Sequence, residues 1–217
     1  KYLEKNHIYN GIVNHLVCQG REVQLMKINL KTNVYKNHGE LFYKTVAKRI
    51  DVEFADDGML IELQIDKTIA DKESFLICGK NNHWTITGCD ELGLYFGIGK
   101  FLHTAKWNEN DFMPQATDGV VTPECSFRAM YFATHFYNFY HTATKEALDE
   151  YLDDLLLWGY NTILCIVPVI TLNEQDENFE SEIERVKRIF NAAKQRGMKI
   201  GLLVCVNQGF MDAPAEL

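Results

Sequence analysis

The chain has 217 residues, a net charge of −8, 47% hydrophobic and 24% charged residues, the balance of an ordinary globular protein with room for one large unit or two small ones. The acidic excess and the lack of a Lys/Arg stripe exclude a nucleic-acid partner met by phosphate neutralisation, and no apolar run reaches the roughly 18 residues of a membrane span. Six cysteines, at 18, 78, 89, 125, 165 and 205, form no CxxC and no Cys/His set with zinc spacing. Free thiols are therefore expected rather than a disulfide framework, with Cys165 and Cys205 inside apolar runs, and neither a metal nor a cofactor is expected.

In chain order, Gly11–Leu30 is apolar enough for one or two strands. Phe42, Val46 and Ile50 recur at helical spacing and predict a helix over Gly39–Ile50. Ile61, Leu63 and Ile65 alternate with Glu62, Gln64 and Asp66, the pattern of a half-buried strand. Ser74–Cys78 and His83–Thr87, joined by Gly79–Asn82, read as a hairpin. Asp90 is placed to cap a helix over 91–104 whose apolar face is Leu92, Tyr95, Phe96, Gly99 and Leu102. Gly93 and Gly97 lack the spacing of a phosphate-binding loop and suit a helix lying close to its sheet. This first part, residues 1–106, reads as an α+β accessory domain. Residues 107–123, polar and holding two of the four prolines, read as a linker.

Residues 124–217 have a different rhythm. Phe127–Thr134 is an apolar strand. Thr144 caps a helix that ends at Trp158 with Gly159 as its stop. Thr162–Val169 is apolar on both faces, as strands of parallel sheets are. Ser181 to Glu184 forms a capping-box pattern ahead of a helix striped by Ile183, Val186, Ile189, Phe190 and Ala193 and stopped by Gly197. Met198–Val206 is again apolar throughout. The order β-α-β-α-β predicts right-handed crossovers and a parallel sheet, either the truncated start of a (β/α)8 barrel or a small open sheet. As a barrel fragment it would leave apolar surface uncovered, so self-association is expected.

Ligands in such folds sit at the C-terminal ends of the parallel strands. The richest of these places is Thr134–His141, THFYNFYH. Its aromatic faces and its imidazole and amide groups suit stacking on, and hydrogen bonding to, a polar ring. His135 and Asn138 here, and Asn207 after the third strand, are candidate substrate-binding residues. Plain packing of Phe136, Phe139 and Tyr140 over the sheet end is the alternative. Arg128, one residue into an apolar strand, must either be paired or reach a ligand, because a buried unpaired charge is costly. Its fork suits vicinal hydroxyls or a carboxylate, and a structural salt bridge is the competing role. Glycoside cleavage needs paired carboxylates. Glu174, Asp176 and Glu177 fall in a polar loop, so no complete catalytic set is evident.

The passage WTITGCDELGLYFGIGKFLHTAKW (84–107), the linker and FRAMYF together resemble the small α+β domain and the opening of the catalytic barrel of family 20 β-N-acetylhexosaminidases and family 67 α-glucuronidases. In those families a strand ending I-x-G leads through D-x-x-G-L-x-Y-G into a helix. Here these are Ile86-Thr87-Gly88, then Asp90, Gly93, Leu94 and Gly97. The first barrel strand there opens with Arg-Gly, here Arg128-Ala129. The resemblance runs over residues 39 to 165. It implies the N-terminal part of a glycoside hydrolase acting on a glycan, Arg128 on sugar hydroxyls, catalytic carboxylates downstream of residue 217 and an extracytoplasmic setting. Phe132-Ala133-Thr134 stands where hexosaminidases carry an Asp, and Val204-Cys205-Val206-Asn207-Gln208 where they carry an acid and a histidine. The alternatives are a non-catalytic carbohydrate-binding or scaffold protein, and an unrelated small α/β enzyme complete at 217 residues.

Overall fold

A computed structural model of the chain describes residues 25–32, 36–166, 175 and 177–203. The first part is built on a five-stranded sheet of order β2-β1-β3-β5-β4. Its elements are β1 (Met26–Thr32), α1 (Lys36–Ala47), β2 (Val52–Phe54), β3 (Met59–Ile65), β4 (Phe75–Lys80), β5 (His83–Gly88) and α2 (Glu91–Thr104). The hairpin is β4–β5, turned through Asn81, whose φ is +54°. The remaining neighbours all pair parallel, so the α+β expectation becomes a mixed, mostly parallel sheet.

The alternation that predicted a half-buried strand persists within this parallel arrangement. Ile61 and Leu63 are buried with Ile28, Ile77 and Ile86, in one core with Phe42 and Val46 of α1 and Leu94, Ile98 and Phe101 of α2. The opposite face of β3 is polar: Glu62 meets His83, and Gln64 donates to Thr87. Each large side chain buried in this layer contributes about 1.5–3 kcal/mol by area.

The segment expected to be a linker is tied down. It forms a short hairpin, β6 (Lys106–Trp107) with β7 (Phe112–Met113), and buries Phe112 beneath Trp107, ring centroids 4.7 Å apart. Thr117 and Val121 then hydrogen-bond to Ile77 and Phe75 of β4. This closes an edge that would otherwise offer unpaired N–H and C=O groups.

The second part contains β8 (Ala129–Phe132), α3 (Phe139–Thr142), α4 (Lys145–Leu157), β9 (Thr162–Ile166), α5 (Phe179–Gln195) and β10 (Lys199–Leu203). The three strands are parallel, in the order β10-β9-β8, as the β-α-β-α-β pattern predicts. Among the described residues they form no closed barrel. The end of the second predicted strand and the last residues of the third lie outside the described residues.

Caps decide the helix starts. Asp90 accepts the Gly93 N–H at 2.8 Å and the Glu73 N–H at 3.1 Å, and Thr144 accepts that of Ala147 at 3.2 Å. The predicted capping box of α5 does not form. The helix starts at Phe179 after Asn178, and Ser181 Oγ donates to the Asn178 carbonyl at 2.8 Å instead. Among the described residues Cys78, Cys89, Cys125 and Cys165 are free, Cys89 and Cys165 buried. Cys205 lies outside them. No helix among the described residues is long and apolar enough to cross a membrane.

The two parts pack through α2 and α4. Gly99 lies so close to the Leu157 carbonyl that a Cβ there would stand 1.9 Å from the oxygen. His103 stacks on Trp158 at the same junction, ring centroids 4.1 Å apart.

Candidate functional site

The C-terminal ends of β8 and β9 are tied together by Thr134, which is 1% exposed. Its hydroxyl donates to the Ile166 carbonyl, and its own carbonyl accepts from Arg185 Nη2 at 3.2 Å. This fixes the start of the aromatic segment. Asn138 then caps the single turn α3: its Oδ1 accepts the Tyr140 N–H at 3.0 Å, and its Nδ2 donates to the Ala133 carbonyl at 2.9 Å. His141 Nδ1 accepts the Asn138 N–H at 3.3 Å, so the neutral ring carries its proton on Nε2. Burial, with the nearby Arg185 charge, lowers the His141 pKa below the ordinary 6.5 and favours that neutral form.

The aromatic side chains divide between inside and outside. Tyr140 stacks on Phe132 at 4.5 Å and neighbours Tyr151; burial, then the hydrogen bond with Tyr151, push its hydroxyl pKa up. Phe136, Tyr137 and Phe139 are 64%, 84% and 44% exposed. His135 sits among the outer group, its ring 3.9 Å from that of Phe136 and its Nδ1 3.2 Å from Tyr131 Oη. The segment thus packs at Tyr140 and leaves aromatic rings exposed at Phe136 and Tyr137.

His135 and Asn138 are brought together at this end of the sheet. Arg128 is not with them. It precedes β8 and stands at the opposite end of the strand. Its Nε donates to the Gly159 carbonyl at 2.7 Å, its Nη1 to the Cys125 carbonyl, and its Nη2 to Glu73 at 2.6 Å. Glu73 also accepts from Asn161 at 2.9 Å, and the guanidinium lies 4.9 Å from the Phe96 ring centroid. Asn207 lies outside the described residues.

Beside the aromatic segment a cleft of about 860 Å³ opens between the α3–α4 stretch and α5, with Tyr137, His141, Lys145, Asp149, Glu182, Arg185 and Arg188 on its walls. The sequence reading missed the two arginines. A signal for Arg185 was present: it falls on the helical series 185, 189, 192 and 193, whose other members are buried and apolar. A charge on such a stripe marks a buried polar contact.

A mostly parallel sheet with covering helices, followed by a second parallel β-α-β-α-β layer, is a glycoside hydrolase-like fold. Over 86% of its length the chain is similar in structure to a β-N-acetylhexosaminidase from Bacteroides fragilis NCTC 9343, with a TM-score of 0.57 and 13% identity, covering 42% of that chain. A family GH20 β-N-acetylhexosaminidase from Streptomyces coelicolor A3(2) matches 82% of this chain with a TM-score of 0.57 and 12% identity, covering 42% of its own length. A GH138 enzyme targeting pectin rhamnogalacturonan II matches 79% with a TM-score of 0.56 and 20% identity, covering 30% of its own length. At these identities the likeness is one of fold, and the chain spans well under half of each of these structures. No family model matches the chain, and no curated protein matches it.

Proposed function

We propose that the chain is the N-terminal part of a carbohydrate-active enzyme of the glycoside hydrolase class. Its first part is an accessory domain, its second part the opening of a (β/α)8 barrel, and the surface around His135 and Asn138, joined by Asn207, is one wall of a glycan site. The observation that carries this is the face of the three-stranded sheet that no helix among the described residues covers. Met130, Phe132, Ile163 and Cys165 face the helices, where Phe132, Ile163 and Cys165 are buried. The alternate residues Tyr131, Leu164, Ile166 and Leu203 are also apolar yet remain partly exposed, Tyr131 by 41% and Leu203 by 43%. Side chains of successive strand residues point to opposite faces, and apolar residues on both faces suit strands whose second face lines a barrel interior. His135, bonded to Tyr131 of that face, and the Phe136 ring against it follow the C-terminal end of β8, the end where barrels hold their substrates.

The catalytic carboxylates are assigned to chain following residue 217, in keeping with the share of the similar structures that this chain spans. The glycan substrate class points to an extracytoplasmic setting. The test is to express the protein from its complete reading frame and assay a panel of 4-nitrophenyl glycosides, with oligosaccharide binding measured in parallel. Hydrolysis of at least one glycoside, with KM raised by His135→Ala, is expected. Binding without hydrolysis would select the non-catalytic carbohydrate-binding alternative. Neither binding nor hydrolysis would overturn the assignment.

A further inference from the structure

We propose that the cleft between the α3–α4 stretch and α5 is an oxyanion subsite, built on Arg185 and Arg188 and suited to a carboxylate or sulfate carried by the ligand. It rests on the reading of this end of the sheet as a glycan site. The two arginines are three residues apart and therefore neighbours on one helix face. Arg185 is 8% exposed. Its Nη2 serves Thr134 and Glu182, while Nε and Nη1 are buried with no hydrogen-bond acceptor. Arg188 repeats the pattern: Nη2 donates to the Ala143 carbonyl at 3.2 Å and Nε is buried without an acceptor.

The charges do not balance locally. Glu182 pairs with Arg185, Glu184 pairs with Lys187 at 2.7 Å, and Asp149 is shared by Arg196 at 3.0 Å and Lys145 at 3.4 Å. Among the described residues Arg185 thus has one carboxylate partner, Glu182, and Arg188 has none. Idle guanidinium donors away from water are costly. The acceptor that best matches a guanidinium fork is a planar or tetrahedral oxyanion, bound by parallel charge-assisted hydrogen bonds. Arg185 already holds the carbonyl of Thr134 at the C-terminal end of β8, so an anion here lies beside the exposed ring of Tyr137. Both arginines line the cleft.

The experiment is calorimetric titration of the 217-residue chain with D-glucuronate, inorganic sulfate and neutral D-glucose, repeated on Arg188→Gln and Arg185→Gln, with thermal melts of each variant. Glucuronate is expected to bind at least about tenfold more tightly than glucose, and Arg188→Gln to remove most of that preference while melting like the parent, because the fork supplies the selectivity. Glucuronate tighter than sulfate assigns the subsite to a sugar acid; equal affinity keeps the subsite and assigns it to a sulfate group. Should Arg185→Gln fail to fold, Arg188→Gln decides. Equal binding of glucuronate and glucose overturns the subsite and leaves the glycan surface standing. Anion binding that neither variant changes, or no anion binding by the folded chain, also overturns the subsite, and hydrolysis by the longer protein then judges the glycan reading separately.

Discussion

The guanidinium of Arg128 spends its three nitrogens on Gly159, Cys125 and Glu73, and in doing so joins the start of β8 to the turn ahead of β4. Glu73 is 12% exposed at its side chain and Arg128 21%, so the pair is largely out of water. Glu73 also holds a φ of +66°, a conformation that costs a non-glycine residue energy and persists where surrounding bonds enforce it. Removing Arg128 would leave the carboxylate to Asn161 and to Lys199, which is 3.9 Å away and 61% exposed. Arg128→Ala is therefore expected to lower the unfolding free energy by about 3 kcal/mol, the scale for stranding one member of a buried pair. Urea denaturation of the 217-residue chain measures it. Unchanged stability would return Arg128 to the sugar-contact role that the resemblance implies. The partner was not legible in the sequence because Glu73 lies 55 residues away, and no local pattern selects among thirty acidic residues.

Among the elements, α2 and α4 were the most legible, since each is started by a side chain bonding an amide three residues on. The start of α5 was less so. Asn178 and Ser181 are both good caps, and the Ser181 hydroxyl is used on a carbonyl instead. The parallel pairing of β1 with β3 was hidden because an alternating strand carries the same pattern whichever way its neighbour runs. The exposed rings of the aromatic segment and the half-buried Tyr140 were not separable by type, because burial there is set by the turn of α3. The contact between α2 and α4 was half visible: Gly99 was assigned to the apolar face, and its neighbour across the junction is a backbone carbonyl. A Cβ at Gly99 meets that oxygen at 1.9 Å, whereas one at Gly39 in α1 meets only side-chain methyls at 3.7 Å. Gly99→Ala is expected to cost about 3 kcal/mol or more, as an overpacked backbone contact does. Gly39→Ala is expected to add about 0.5–1 kcal/mol by removing glycine entropy from a helix. Thermal melts of both variants test the contrast. Equal effects would mean that the helices separate freely and that the two parts are not rigidly joined.

At the scale of the whole fold, the strands of the second layer are apolar on both faces, while the described helices cover one. Leu202, on the helix side of β10, is 54% exposed, and Leu203, on the other side, 43%. Tyr131 and Leu203 thus stand on the two outer strands of one apolar face, Tyr131 beside Leu164 and Leu203 beside Ile166 of the middle strand. Isolated exposed apolar residues need no partner, but a contiguous face of this kind favours association, and among the described residues β8 and β10 are edge strands open to pairing. The 217-residue chain is accordingly expected to be larger than a monomer in light scattering at micromolar concentration. Leu203→Lys is expected to shift it toward monomer, because a charge in a buried apolar contact is costly whereas on a free surface it is not. A parent chain that stays monomeric would count against the barrel fragment, because closing strands would then not be needed to cover this face. Association unaffected by Leu203→Lys would locate the contact elsewhere, with the first sheet's β2 edge as the place to substitute next.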